Sequence, residues 1–170
     1  EVAVLRGEFT LRSGRTSNYY RDKYLFTTRP DLLGPLAIEF AAKVEAMEAR
    51  LGKRADRLAG AVLGGIPIVT AVCLQTGRPS VLVRAEKKDY GTAKQLEGRL
   101  EQGEHIIVLE DIATSGGQSV EAVKVLRAAG AKVLGVIVAI DRQEGAREAI
   151  EAQDVAFDSV FTSSDLGITG

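Results

Sequence analysis

His105-Ile106-Ile107-Val108-Leu109-Glu110-Asp111-Ile112-Ala113-Thr114-Ser115-Gly116-Gly117-Gln118-Ser119 is the stretch on which the fold turns. An apolar run ends in two adjacent carboxylates, a turn of small and hydroxyl residues follows, and then a helix begins. A continuous apolar run suits a strand buried on both faces of a parallel sheet. Acids at its carboxyl end fall where open α/β sheets bind ligands, so Glu110 and Asp111 are expected to be exposed there. Thr114-Ser115-Gly116-Gly117 offers hydroxyls and backbone N–H groups that no Cβ obstructs. The helix after it points its positive end at the same spot, which makes the turn a phosphate cradle. An ordinary βα turn with helix-capping acids would use the same residue types. The acid pair beside an anion site favours a ligand bearing hydroxyls, or a metal. No Gly-Lys-Ser/Thr follows, and no G-x-G-x-x-G occurs, so neither a Walker loop nor a dinucleotide fingerprint is present.

Outward from this stretch, strands and helices alternate. Strands are expected over 57–63, 79–84, 106–111, 132–140 and 155–161, and helices over 66–75 and 145–152. The helix after the central strand places Ala122, Val125, Leu126 and Ala129 on one face and stops at Gly130. Such alternation means crossover connections, and hence an α/β fold with a central parallel sheet flanked by helices. Upstream, Thr27 or Thr28 caps a helix with Pro30 in its first turn. Leu33, Leu36, Ala37, Phe40, Val44, Met47 and Leu51 trace its core face, and Gly52 closes it. Strand candidates at 8–11 and 18–25 fall outside the alternation. They are expected to form a small N-terminal cap or hood, residues 1–28, over the sheet's carboxyl end. Residues 1–170 read as a single domain.

Composition narrows the function classes. The chain has 170 residues, 45% hydrophobic and 26% charged, with a net charge of −1. That balance argues against broad nucleic-acid binding, so any anion site must be local. Cys73 is the only cysteine, which excludes an intramolecular disulfide framework and points to a reducing, cytoplasmic setting. No apolar run approaches membrane-spanning length, and nothing at the start reads as a signal peptide. Cys73 reads as core and the sole histidine, His105, as a strand-edge residue. A Cys/His nucleophile or a His-rich zinc site has little to build from.

Further stretches carry chemistry. Arg84-Ala85-Glu86-Lys87-Lys88-Asp89-Tyr90-Gly91 opens a long polar connection, 84–98, one strand before the cradle. A solvated surface loop would look the same. A basic loop that closes over a polyanion would exclude water and stabilise a leaving diphosphate. Asp141-Arg142-Gln143-Glu144 again follows an apolar strand. Arg142 presents a planar fork suited to a carboxylate, unless it is only a helix-start salt bridge to Asp141 or Glu144. In the hairpin, Arg12, Arg15, Tyr19 and Tyr20 could stack on and neutralise a flat anionic ring. Gly64-Gly65 lets the backbone approach a ligand, or is simply a tight βα turn.

Taken in order, these stretches resemble the orotate phosphoribosyltransferase branch of the type I phosphoribosyltransferases. The Phe-x-Leu-x-Ser-Gly-x-x-Ser-x-Tyr hairpin, the Gly-Gly-Ile-Pro turn and the Arg-x-x-x-Lys-x-x-Gly loop carry the likeness. So do the Glu-Asp signature and the Asp-Arg-Gln-Glu segment, over nearly the whole chain. The resemblance implies reversible transfer of ribose 5-phosphate from 5-phosphoribosyl 1-diphosphate (PRPP) to orotate in pyrimidine and UMP synthesis. It also implies Mg²⁺ accompanying the diphosphate with no direct protein ligand, near Glu110 and Asp111. A homodimer is implied, in which segment 84–98 of one subunit reaches the site of the other.

Residue by residue, the resemblance implies that Thr114, Ser115, Gly116, Gly117 and Gln118 hold the 5′-phosphate. Glu110 and Asp111 meet the ribose, with Ile112, Ala113 and Gly65 lining the PRPP site. Arg84, Lys87, Lys88 and Tyr90 grip the diphosphate, and Arg84, Lys88 and Asp111 are the catalytic candidates. Arg142 and Thr114 contact orotate, with Arg12, Tyr19 and Tyr20 lining its pocket. Ala85 stands where many relatives have a second loop lysine, Tyr90 where many have histidine, and Arg12 where lysine is common. A purine or uracil phosphoribosyltransferase is the nearest alternative, and a non-catalytic PRPP-sensing regulator another. The Asp-Arg-Gln-Glu segment and the Ser-Gly hairpin favour orotate. No helix-turn-helix segment or basic face supports a regulator.

Overall fold

Residues 4–10, 16–21, 24–84 and 95–167 are described by a computed structural model, with side chains from residue 25 onward within those ranges. Strands β1 (Val4–Thr10) and β2 (Thr16–Arg21) pair antiparallel as a two-stranded sheet of their own. They begin earlier than the sequence pattern suggested. Tyr24 and Leu25 belong instead to a short helix, α1 (Tyr24–Thr27).

Helix α2 (Pro30–Leu51) is capped not by Thr27 or Thr28 but by Arg29, which is extended (φ −106°, ψ 117°) and makes no side-chain cap. Pro30 at the first helical position explains this. Its ring disfavours helical geometry in the preceding residue, so the helix cannot start earlier. Gly52 closes α2 in the left-handed region, at φ 63°. Ala37, Phe40, Val44 and Met47 are buried, as the spacing required, whereas Leu51 is exposed at the helix end.

The remaining elements are β3 (Arg57–Ala61), α3 (Gly65–Thr76), β4 (Ser80–Val83), β5 (Leu96–Glu97) and β6 (His105–Ala113). They are followed by α4 (Gly117–Ala128), β7 (Lys132–Asp141), α5 (Ala146–Glu151) and β8 (Ala156–Thr162). One sheet runs β5-β4-β3-β6-β7-β8, all parallel except the edge strand β5, which pairs antiparallel with β4. β5 was not anticipated within the polar 85–103 segment. β3 stops two residues short of its expected end because 62–64 turn into α3.

β6 lies inside the sheet between β3 and β7, and Ile106, Ile107, Val108 and Leu109 are wholly buried, as a strand covered on both faces should be. Its two faces feed separate cores. Ile107 and Leu109 join Phe40, Met47 and Ile68 from α2 and α3, and Ile106 and Val108 join Val123, Leu126 and Ile150 from α4 and α5. Packing is tight enough to dictate residue size. A Cβ on Gly135 of β7 would fall 2.1 Å from Sδ of Met47. The buried face of α4 is Ser119, Ala122, Val123 and Leu126. Val125 is only half-buried, and Ala129, at the C-cap, is turned to solvent.

Candidate active site

The two acids do not form an exposed pair. Strand β6 continues to Ala113, so Glu110 and Asp111 lie within it, each only 3% exposed. Asp111 lies toward the β3–α3 turn, where it meets Gly64. Oδ1 of Asp111 accepts the Ile112 N–H at 2.7 Å. Its Oδ2 lies against Gly64, where a Cβ would come within 1.6 Å of it. Gly64 has ordinary backbone angles (φ −66°, ψ −29°), so room for the carboxylate, not a special conformation, demands glycine there. At Gly65 a Cβ would meet the Leu109 carbonyl at 2.8 Å. Gly65 thus lets the start of α3 sit down on the sheet, and Gly64 is the one that touches the acid. The doublet is the signal in the sequence, and packing separates what its two glycines touch.

The cradle begins where β6 ends. Thr114, Ser115, Gly117 and Gln118 are exposed, and Gly116 is buried. Gly116 is the N-cap of α4 in the left-handed region (φ 78°), with no side chain capping the helix and no acid in its first turn. The first N–H groups of a 12-residue helix and its positive dipole end therefore face outward, a ready anion site. Gln118 Nε2 donates to the Val62 carbonyl at 3.2 Å, tying this turn to the β3–α3 turn. A Cβ on Gly116 would lie 3.1 Å from the Cα and O of Ala146, so the cradle also rests on the start of α5.

The third wall is the β7–α5 loop. The Arg142 N–H donates to the Ala113 carbonyl at 2.9 Å, which brings this arginine beside the cradle. Its guanidinium pairs with Glu144 (Nη2–Oε1, 2.7 Å), not Asp141. Asp141 is buried and accepts the Gln143 N–H at 2.8 Å. Gln143 has φ 59°, and its Oε1 accepts from the N–H and hydroxyl of Ser164, anchoring the loop to the segment after β8.

Arg84, just past β4, reaches Glu97 (Nη1–Oε1, 3.0 Å), and its N–H bonds the Gln95 carbonyl at 2.7 Å. Lys87, Lys88, Tyr90 and Arg12 lie outside the described residues. Tyr19 and Tyr20 are placed by backbone alone, in β2 opposite Arg6 and Leu5. His105 opens β6 at the end away from the site, where its N–H bonds Asp56 at 2.8 Å. Cys73 is half-buried on α3, and burial pushes its thiol pKa up, as expected of a packing residue and not a nucleophile. Among the described residues no group of three or more His, Cys, Asp or Glu side chains could hold a metal.

Five loops or strand ends thus meet at the carboxyl edge of one parallel sheet, where α/β folds bind ligands. The chain is 47% identical over 164 residues to an orotate phosphoribosyltransferase of Natronomonas pharaonis, covering 96% of this chain and 90% of that one. The chain belongs to the orotate phosphoribosyltransferase family. No protein-family model matches it. The fold of solved orotate phosphoribosyltransferases overlays well. The Aeropyrum pernix enzyme gives a TM-score of 0.82 at 32% identity, covering 99% of this chain and 94% of that one. The Mycobacterium tuberculosis enzyme in complex with PRPP gives 0.78 at 31% identity, covering 98% and 92%. The expected α/β class, with a mostly parallel sheet between helix layers, is therefore the family's own. No helix among the described residues is long and apolar enough to cross a membrane.

Proposed function

We propose that this orotate phosphoribosyltransferase-family chain transfers ribose 5-phosphate from PRPP to orotate, releasing diphosphate and forming orotidine 5′-monophosphate. The observation that carries the reading is the 47% identity to a curated family member along almost the entire chain. The geometry agrees with it. The open N-terminus of α4 suits the 5′-phosphate, which would lie on the N–H groups of residues 115–118. Asp111 and Glu110 suit the ribose as acceptors for its hydroxyls. A buried carboxylate also stabilises the positive charge that grows at the anomeric carbon as the diphosphate bond breaks. Arg142 suits the orotate carboxylate, with Thr114 beside it. N1 of orotate displaces diphosphate at the anomeric carbon, and the proton that N1 carries passes to solvent as the carbon–nitrogen bond forms.

Arg84, Lys87 and Lys88 would take up charge on the departing diphosphate, a gain larger in the transition state than in bound PRPP. Mg²⁺ held on the diphosphate, near Glu110 and Asp111, would supply charge neutralisation on the leaving group. The N-terminal hairpin, with Arg12, Tyr19 and Tyr20, serves as the hood over the base. A homodimer exchanging segment 84–98 and a cytoplasmic location complete the proposal.

The test is continuous loss of orotate absorbance with PRPP and Mg²⁺, together with release of diphosphate. Turnover confined to a purine or to uracil would reassign the base. A folded protein that binds PRPP and turns over no base would make it a sensor.

A further inference from the structure

Arg142 is already engaged before any substrate arrives. Its Nη2 lies 2.7 Å from Glu144 Oε1, and the two side chains are 32% and 50% exposed. Its Nε–H is buried and finds no partner among the described residues. A guanidinium offers five donors in a planar fork, which a carboxylate fills two at a time. Glu144 therefore holds the arginine incompletely. The backbone beneath the pair is tied down, by Arg142 N–H to Ala113, Gln143 N–H to Asp141, and the Gln143 side chain to Ser164. Rearrangement is left to the two side chains.

We propose that Glu144 is an internal competitor for the substrate's carboxylate. It occupies Arg142 in the empty enzyme and is displaced when a carboxylate-bearing base takes over the guanidinium. This rests on the reading of Arg142 as the orotate-contacting residue. Glu144 thereby tunes orotate affinity without touching the reacting atoms. A base with a carboxylate replaces one ion pair by another, whereas a neutral base leaves the Arg142–Glu144 pair in place. The displaced pair is partly exposed and screened, so it reduces orotate affinity only modestly, by about two- to fivefold.

Steady-state kinetics of Glu144→Gln and Glu144→Ala test the idea, with orotate titrated at saturating PRPP and uracil as a competitor. Both variants are expected to lower the orotate KM by about two- to fivefold. The KM for PRPP and the inhibition by uracil should stay within about twofold of the parent. An orotate KM that is unchanged or raised overturns the proposal, because Glu144 would then be idle or would support Arg142. A parallel gain in uracil binding overturns it too, since the effect would not depend on a carboxylate. Failure of the parent chain to consume orotate would instead sink the functional reading.

Discussion

Gly64 and Asp111 meet with no room for a methyl group between them. Because Gly64 sits at φ −66°, replacing it adds no backbone strain, and the whole effect falls on the Asp111 carboxylate. Gly64→Ala is expected to cost about 1–3 kcal/mol of stability through overpacking. It should also lower kcat/KM for PRPP about tenfold or more, equivalent to ~1.4 kcal/mol of lost transition-state binding. The decisive measurement is a double-mutant cycle with Asp111→Ala. If Gly64 acts through the carboxylate, its substitution has little further effect on kcat/KM once that group is gone. Additive losses would show that the two residues act separately. The same pair shows what adjacency in sequence conceals. Glu110 and Asp111 are neighbours in the chain, and only packing shows that Asp111 lies against Gly64.

In the proposed site helix α4 acts through its backbone, so glycines at its start can be tested one at a time. Gly116 is left-handed and packs on the backbone of Ala146, which cannot move aside cheaply. Gly116→Ala is expected to cost about 1–2 kcal/mol from the dihedral alone, and to weaken PRPP binding as the turn shifts. At Gly117 the nearest atom to an added Cβ is Ser115 Oγ at 3.9 Å. Gly117→Ala should leave thermal stability unchanged or raise it by a few tenths of a kcal/mol, since alanine is the better helix former. Calorimetric titration with PRPP separates the cases. Weakened binding in a stable Gly117→Ala protein means phosphate approaches this backbone closely, and undiminished binding removes Gly117 from the cradle. The element's identity was plain from the apolar run and the small-residue turn. Its resting place on α5 was not, because that contact joins residues thirty apart in sequence.

Across the molecule, chemistry and stability occupy opposite edges of the sheet. The carboxyl edge holds the candidate site. Near the amino edge, Arg57 makes two hydrogen bonds to Glu104, at 2.9 and 3.1 Å, with side chains only 11% and 16% exposed. Arg78 likewise grips Glu48 at the end of α2, and the Ala55 N–H joins it at 2.6 Å. The Arg57 hydrogen bonds hold the Glu104 pKa below the usual glutamate range. For Glu48, burial alone would raise the pKa, but the bonds from Arg78 and Ala55 outweigh it and the net shift is downward. A carboxylate whose folded pKa is depressed contributes stability above its unfolded value and loses it as pH falls through the folded one. Melting temperature should therefore drop as pH falls below the ordinary glutamate range. Glu104→Gln should lower stability at neutral pH by about 2 kcal/mol and flatten that acid slope, while orotate turnover at neutral pH persists. An unchanged slope would show that this pair does not govern acid stability.

The alternation of apolar runs with amphipathic segments was enough to establish an α/β fold, the central strand and the position of the cradle. Periodicity is a local property, and long segments such as α2 and β6 carry several repeats of it. β5 has only two residues and no period to read, so its pairing with β4 came from the tertiary structure alone. A salt bridge from Arg142 to Asp141 or Glu144 was legible in the sequence, but which of the two acids it meets was not. Burial of the acid pair, the Gly64 contact and the resting place of α4 likewise depend on which elements become neighbours. Residue type and spacing determine which chemistry is available. The distances that position the groups are set between segments far apart in the chain, and only folding brings those together.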